Sequence, residues 1–359
     1  MARWPGRSVP RRALRRLAVV VAVVVVLALV AVLGLRWWQA RTTSDLEEAI
    51  ARAPASERYS WTDWAGVRRE VGGDVSPDAS GAELEGFLDA AYDADLSSMS
   101  TVADSGEVLA DTLGLSPAGL EWEMLSQAED GTLLVLRVAE GVDLDRVETL
   151  LDAAGYRPPD EHGIRDGSAA LDRHEIPSEL TMVAVDRDDR LVVGSDSVGY
   201  LRGALDDPSG PTDDVAATAD AVGDPLAAGV YSGSWTCGRL GMTSASADDQ
   251  AQAEELVDEA GDVDPVLSLA IARGPEPERP DDVRVAMAFA DHDQAVANAD
   301  SRSRLAAGPA VGQGGDFADR FELGEVRADD RLVTMALSPT PGAAILSDLA
   351  AGPLLFATC

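Results

Sequence analysis

The chain contains no lysine: all 29 of its basic side chains are arginine. Schiff-base chemistry, Ser-Lys catalysis and a phosphate-loop lysine are thereby excluded together. Cysteine is almost as scarce. Two residues are too few for a disulfide-built miniprotein or a four-thiolate zinc site. Only three histidines occur, His162, His174 and His292, and none lies in an H-E-x-x-H pattern. Aromatic residues make up 5% of the chain, which is poor material for a sugar-stacking cleft. A basic patch able to hold nucleic acid is not expected either, because 63 acidic residues bring the net charge to −34.

What the sequence does hold is an uneven charge distribution. Residues 1–41 carry eight arginines and no acid, and the remaining 318 residues set 21 arginines against all 63 acids, a net −42. Between the arginines, Leu17–Leu35 is an uncharged run of 19 residues, mostly valine, leucine and alanine. At ~1.5 Å per residue it spans roughly 28 Å, close to the bilayer hydrocarbon. Six arginines precede it and two follow. The positive-inside rule then puts the N-terminus in the cytoplasm and the acidic part outside the cell. Arg16, Arg36, Trp37 and Trp38 fall where interface anchors belong. A cleaved signal peptide would need small residues just after the run, where Arg36, Trp37, Trp38 and Gln39 stand instead. The reading is a single uncleaved anchor with the bilayer as its partner.

The rest divides by composition. Residues 1–16 form a basic cytoplasmic tail, 17–35 the transmembrane helix and 36–55 a juxtamembrane stalk, with a short helix over Asp45–Arg52 closed by Pro54. The first folded unit covers 56–206, the second 225–359. The Pro-, Gly- and Asp-rich stretch 207–224 between them reads as a solvated connector.

The two units show the same order of elements. In the first, a strand at Tyr59–Trp64 is followed by an acidic helix (Gly81–Tyr92) and strands Leu120–Gln127 and Thr132–Val138. A helix (Asp143–Ala154), a hairpin (Leu180–Ser195) and a short helix (Ser197–Leu205) complete it. In the second, the strand Gly229–Trp235 precedes a helix (Ala247–Ala260) and strands Val266–Arg273 and Val283–Phe289. Helix Gln294–Ala306, hairpin Phe321–Leu337 and helix Gly342–Ala350 follow. Asp188–Val192 and Asp329–Val333 share the pentad D-D-R-L-V at the same hairpin. The fold class is therefore α+β: a transmembrane helix, then two duplicated units of antiparallel sheet with helices packed on one face. Whether the sheets stand apart or join edge to edge stays open at this level.

Both cysteines lie beyond the membrane, in an oxidising compartment, and a Cys237–Cys359 disulfide is expected to tie the end of the chain to its own unit. The histidines read as loop or helix-start residues: His162 beside Asp160 and Glu161, His292 between two capping aspartates. Gly312–Gly315 reads as a turn, since it follows no strand. The acidic groups around Asp186–Asp189 and Asp258–Asp264 lack the spacing of a calcium loop and read as solvated turns. Trp61, Trp64, Trp122 and Trp235 fall in expected strands and read as core. No catalytic, cofactor-binding or metal-ligating residue is assigned, and no cofactor is expected.

The segments Ser60–Trp64, Val230–Cys237, Asn298–Phe321 and Phe356–Cys359 resemble an uncharacterised family of actinobacterial membrane-anchored proteins. The resemblance covers most of the part outside the membrane. It implies no activity and supplies no site residues, and it agrees with arginine used without lysine, as in a GC-rich genome. The expected function is a non-enzymatic extracytoplasmic module that binds an envelope protein or polymer, with the groove between units as the place to look. The alternative is an envelope hydrolase whose carboxylate pair assembles only in the fold.

Overall fold

The structure, a computed structural model, describes residues 43–359 apart from 74, 172 and 275–281. The apolar run 17–35 and the interface residues Arg16, Arg36, Trp37 and Trp38 lie outside the described residues. Among those described, no helix is long and apolar enough to cross a membrane. Residues Asp45–Cys359 form one body.

That body is built on one antiparallel sheet of eleven strands. From the joint outward, the first half contributes β1 (Arg58–Thr62), β2 (Leu120–Ala128), β3 (Gly131–Val138), β6 (Leu191–Ser195), β5 (Met182–Asp186) and β4 (Ile164–Asp166). In the other direction run β7 (Ala227–Ser232), β8 (Ser268–Arg273), β9 (Val283–Ala288), β11 (Leu332–Pro339) and β10 (Phe321–Asp329). The halves are thus joined edge to edge through β1 and β7, in register from Arg58↔Tyr231 to Thr62↔Ala227. Each half reads as three consecutive strands, then the second strand of a hairpin, then the first, and the first half adds β4 at its outer edge. β1 and β7 pair antiparallel at the joint.

Helices cover both faces, which corrects the expected one-faced layer. On the first face, that of Tyr59 and Trp61, α1 (Asp45–Ala51), α6 (Val198–Asp206) and α7 (Asp213–Val222) bury a shared cluster with Trp122, Val135, Val193 and Val230. The second face, that of Ser60 and Thr62, carries two clusters. In the first half α2 (Trp64–Val71), α3 (Ala82–Asp93), α4 (Gly106–Leu113) and α5 (Leu144–Ala154) pack on Leu125, Leu134, Leu136 and Val192. In the second, α8 (Ala247–Ala260), α9 (His292–Ala306) and α10 (Ile345–Ala351) pack on Leu269, Ile271, Val285 and Met335. The cause is visible in the strands: Leu133 to Leu136 are buried one after another, as are Leu269 to Ala272, so both sides of the pleat are apolar and each needs a cover.

Two further expectations change. The helix read as part of a stalk is present over Asp45–Ala51, but Leu46, Ala49 and Ile50 are buried, and Arg52 pairs with Asp189 at 2.9 Å in the β5–β6 turn. The stretch read as a connector contains α7. Thr212 caps it by accepting the Val215 N–H, Asp213 and Asp214 favour its positive end, and Val215, Thr218, Ala219 and Val222 are buried at helical spacing. Arg331 on the β10–β11 turn forms an ion pair with Asp214.

The shared pentads do occupy equivalent hairpins. Val192 and Val333 both face the second-face clusters. The turns differ: four residues separate β5 from β6, with Arg190 at φ +54°, and two separate β10 from β11, with Asp330 at φ +48°. The last helices also differ, since α6 lies on the first face and α10 on the second.

Candidate site at the joint of the two halves

On the second face the joint is crossed by residues 95–101. Leu96 and Val102 belong to the first-half cluster, while Met99 between them belongs to the second-half cluster with Ala227 and Tyr231. The two ends of this strap are fixed by carboxylates. At one end Asp95, buried and at φ +56°, accepts the N–H groups of Leu346 at 2.7 Å and Ser347 at 3.2 Å, which caps the first turn of α10. At the other, Ser100 Oγ (2.7 Å) and the Thr101 N–H (2.6 Å) donate to Glu123 on β2, which also accepts Trp64 Nε1 at 2.7 Å. Glu123 has no solvent exposure. Burial pushes its carboxyl up, against the pull of its hydrogen-bond donors. Burial likewise raises Asp95, opposed by the two N–H groups and the charge of Arg273.

Beyond Asp95 a groove of about 390 Å³ opens between Asp93, Arg273 at the end of β8, and the loop Pro339–Ala344. Its size is that of a small-ligand or peptide-side-chain cleft. Tyr92, 75% exposed, adjoins the rim residue Asp93. Sequence reasoning did not single out Asp95 or Glu123. The alternation in L-E-W-E-M-L reads as Glu121 and Glu123 on a solvated face, and only the second helical layer reverses that for Glu123.

The other sequence-level candidates resolve as follows. Cys237 and Cys359 form a disulfide with Cα atoms 5.5 Å apart. Next to it Arg302, fully buried, donates to the carbonyls of Phe356 (2.6 Å), Thr358 (3.0 Å) and Asp264 (2.5 Å) and lies over the Phe289 ring. Trp61, Trp64 and Trp122 are buried, Trp64 on a helix rather than a strand. Trp235 is half-buried and stands after the end of β7, because Ser232 caps a helical turn there. His292 Nδ1 lies 3.0 Å from the Asp330 carbonyl and His162 is a loop residue, and among the described residues no three ligating groups gather for a metal. Asp186 accepts the N–H groups of Asp188 and Asp189 within its own turn. Gly312–Gly315 is a turn held by Arg320, which donates to the Gln313 and Gly314 carbonyls.

No protein-family model matches the chain, and no curated protein matches it. Among solved structures, two crystal forms of TP0453 align with it at 9% identity and a TM-score of 0.38. Form I covers 86% of this chain and 97% of the other, and form III covers 84% and 97%. Similarity at that level carries no functional inference.

Proposed function

We propose that the chain is a single-pass membrane protein of an actinobacterial cell envelope. Its N-terminus is cytoplasmic, residues 17–35 cross the bilayer, and the body 45–359 lies outside as a duplicated, non-enzymatic binding or scaffolding module. The arginine distribution supports the orientation, and the disulfide suits an oxidising compartment. The observation that carries the binding role is the groove at the joint, framed by both halves. The two buried carboxylates near it are engaged as structural acceptors, Asp95 by α10 and Glu123 by Trp64 and the strap. A partner segment from an envelope protein or polymer would seat against Asp93, Arg273 and the Pro339–Ala344 loop.

Two experiments test this reading. A phosphatase fused after Cys359 is active in whole cells if the body is outside; an inactive fusion refutes the orientation. Photo-crosslinking groups placed at Asp93 and at Pro341 give a discrete adduct in native membranes, and one at the exposed Val296 of α9 does not. Equal labelling at all three positions refutes the groove as the contact site.

A further inference from the structure

Arginine is the chain's only strong side-chain cation, and on so acidic a body most guanidiniums find a carboxylate. Arg52 pairs with Glu48, Arg165 with Asp152, and Arg187 with Asp145 and Glu148. Others are held by carbonyl oxygens, as Arg68 is by Pro117, Ala118 and Leu120. Among the described residues, Arg58 and Arg239 stand apart, with neither an ion pair nor a hydrogen bond from the guanidinium. Both also lie beside one ring. Each guanidinium carbon lies 5.9 Å from the centroid of the Trp235 ring.

The chain builds this arrangement from three places. Arg58 opens β1, and its cross-strand partner Tyr231 precedes Trp235 by one helical turn. Arg239 follows Trp235 by another turn, in the π-helical segment Thr236–Leu240. Such segments are over-represented at functional sites. The support is firm. Ser232 Oγ accepts the Trp235 N–H at 3.3 Å, Thr236 Oγ1 donates to the Ser232 carbonyl at 2.9 Å, and Cys237 is anchored by the disulfide. The neighbouring carboxylate, Glu57, is engaged by Ser234 Oγ at 3.0 Å. Arg58 Nε is buried with no acceptor, and Arg239 is exposed.

Two cations beside one ring repel each other, and a cation–π contact with tryptophan offsets only about 0.5–1 kcal/mol per exposed pair. A cation–π contact uses neither guanidinium's N–H groups, so these stay open to an acceptor. A planar carboxylate is satisfied by one such fork. A tetrahedral dianion offers oxygens to two separate forks and matches their charge. We propose that Arg58, Trp235 and Arg239 form an anion site that takes a phosphate group, free or borne on a lipid headgroup. This site is independent of the groove: it sits at the Arg58 end of β1, the groove at the Thr62 end.

The test uses the full-length chain in neutral detergent, with inorganic phosphate as the probe, read by ³¹P line broadening. Saturable binding is expected, weakened at least about tenfold by Arg239→Gln and by Arg58→Gln and unchanged by Arg327→Gln, whose arginine pairs with Glu325 on the far edge strand. Near-UV circular dichroism controls for folding of the Arg58 variant, and the exposed Arg239 variant stands as evidence without it. Dihexanoyl phosphatidic acid is then set against inorganic phosphate. Tighter binding of the lipid assigns the site to a headgroup, and equal or weaker binding assigns it to free phosphate. No binding of either ligand, or binding that both glutamine variants leave intact, overturns the proposal.

Discussion

The Asp95 carboxylate accepts the Leu346 N–H at 2.7 Å across 251 residues of chain, so one half of the body caps a helix of the other. Asp95 can do this because it adopts a left-handed backbone, φ +56°, which short polar residues tolerate and alanine does not. Asp95→Ala should therefore lose the cap and add strain, about 1–3 kcal/mol in total. Asp95→Asn keeps the backbone preference and one acceptor oxygen and should lose roughly half as much. Urea unfolding of the full chain measures both. Equal losses for the two variants would show that the bond to α10 matters and the backbone conformation does not.

The Glu123 carboxyl gives the joint a pH dependence of defined sign. Burial raises its folded-state pKa above the ordinary 4.5, so the folded protein holds this proton to higher pH than the unfolded chain does. Between those two values the folded state binds more protons, and stability falls as pH rises; below both values the contribution is fully present. Asp95, also raised, acts in the same direction. The expected result is that wild type loses stability relative to Glu123→Gln as pH rises from about 4.5 toward neutrality. Unfolding midpoints of the two proteins across that range decide it. Parallel curves would mean that its hydrogen-bond donors cancel the effect of burial.

Much of this architecture was legible from sequence. Asp143 and Gly155 bracket α5 as cap and left-handed terminus, and the Glu129-Asp130-Gly131 turn lies between β2 and β3. Other parts were hidden by local ambiguity. Asp63 looks like a strand residue until its side chain is seen accepting the Gly66 N–H at the start of α2. The helix α7 lay in a segment whose prolines and aspartates read as a connector, although Thr212, Asp213 and Asp214 are also a helix-start signature. The second helical layer was illegible for a different reason. A strand buried on both faces has no period, so Leu133–Leu136 says that it is covered but not by what. The strap, the groove and the Arg58–Trp235–Arg239 cluster depend on which distant segments meet, and no local pattern carries that.

Thr62, at one end of the joint, has no solvent exposure, and its hydroxyl has no hydrogen-bond partner among the described residues. A buried hydroxyl in that state is a cost that an isosteric methyl removes. Thr62→Val should leave stability unchanged or raise it by up to about 1 kcal/mol, since valine also suits a strand. A loss greater than about 1 kcal/mol on urea unfolding would show that the hydroxyl is satisfied in solution.

The end of the chain is held twice, by the disulfide and by Arg302. The bridge closes a loop of sequence separation 122, for which the chain-entropy model gives up to about 4–5 kcal/mol. Arg302→Met would leave the carbonyls of Phe356, Thr358 and Asp264 without their buried donor, at about 1–3 kcal/mol for each that stays dry. The two changes should not add. Once Cys359 is released, the segment Leu354–Thr358 can move and hydrate its carbonyls, so the second loss shrinks. In a cycle of Cys237→Ser, Arg302→Met and the double variant, the double variant should lose less than the sum by about 0.5–3 kcal/mol. Strict additivity would mean that Phe356 and its neighbours stay packed without the bridge, and that the disulfide acts on the unfolded chain alone. Alkylation before and after reductant on the same samples verifies the bridge in wild type: two thiols reacting without reductant would refute it.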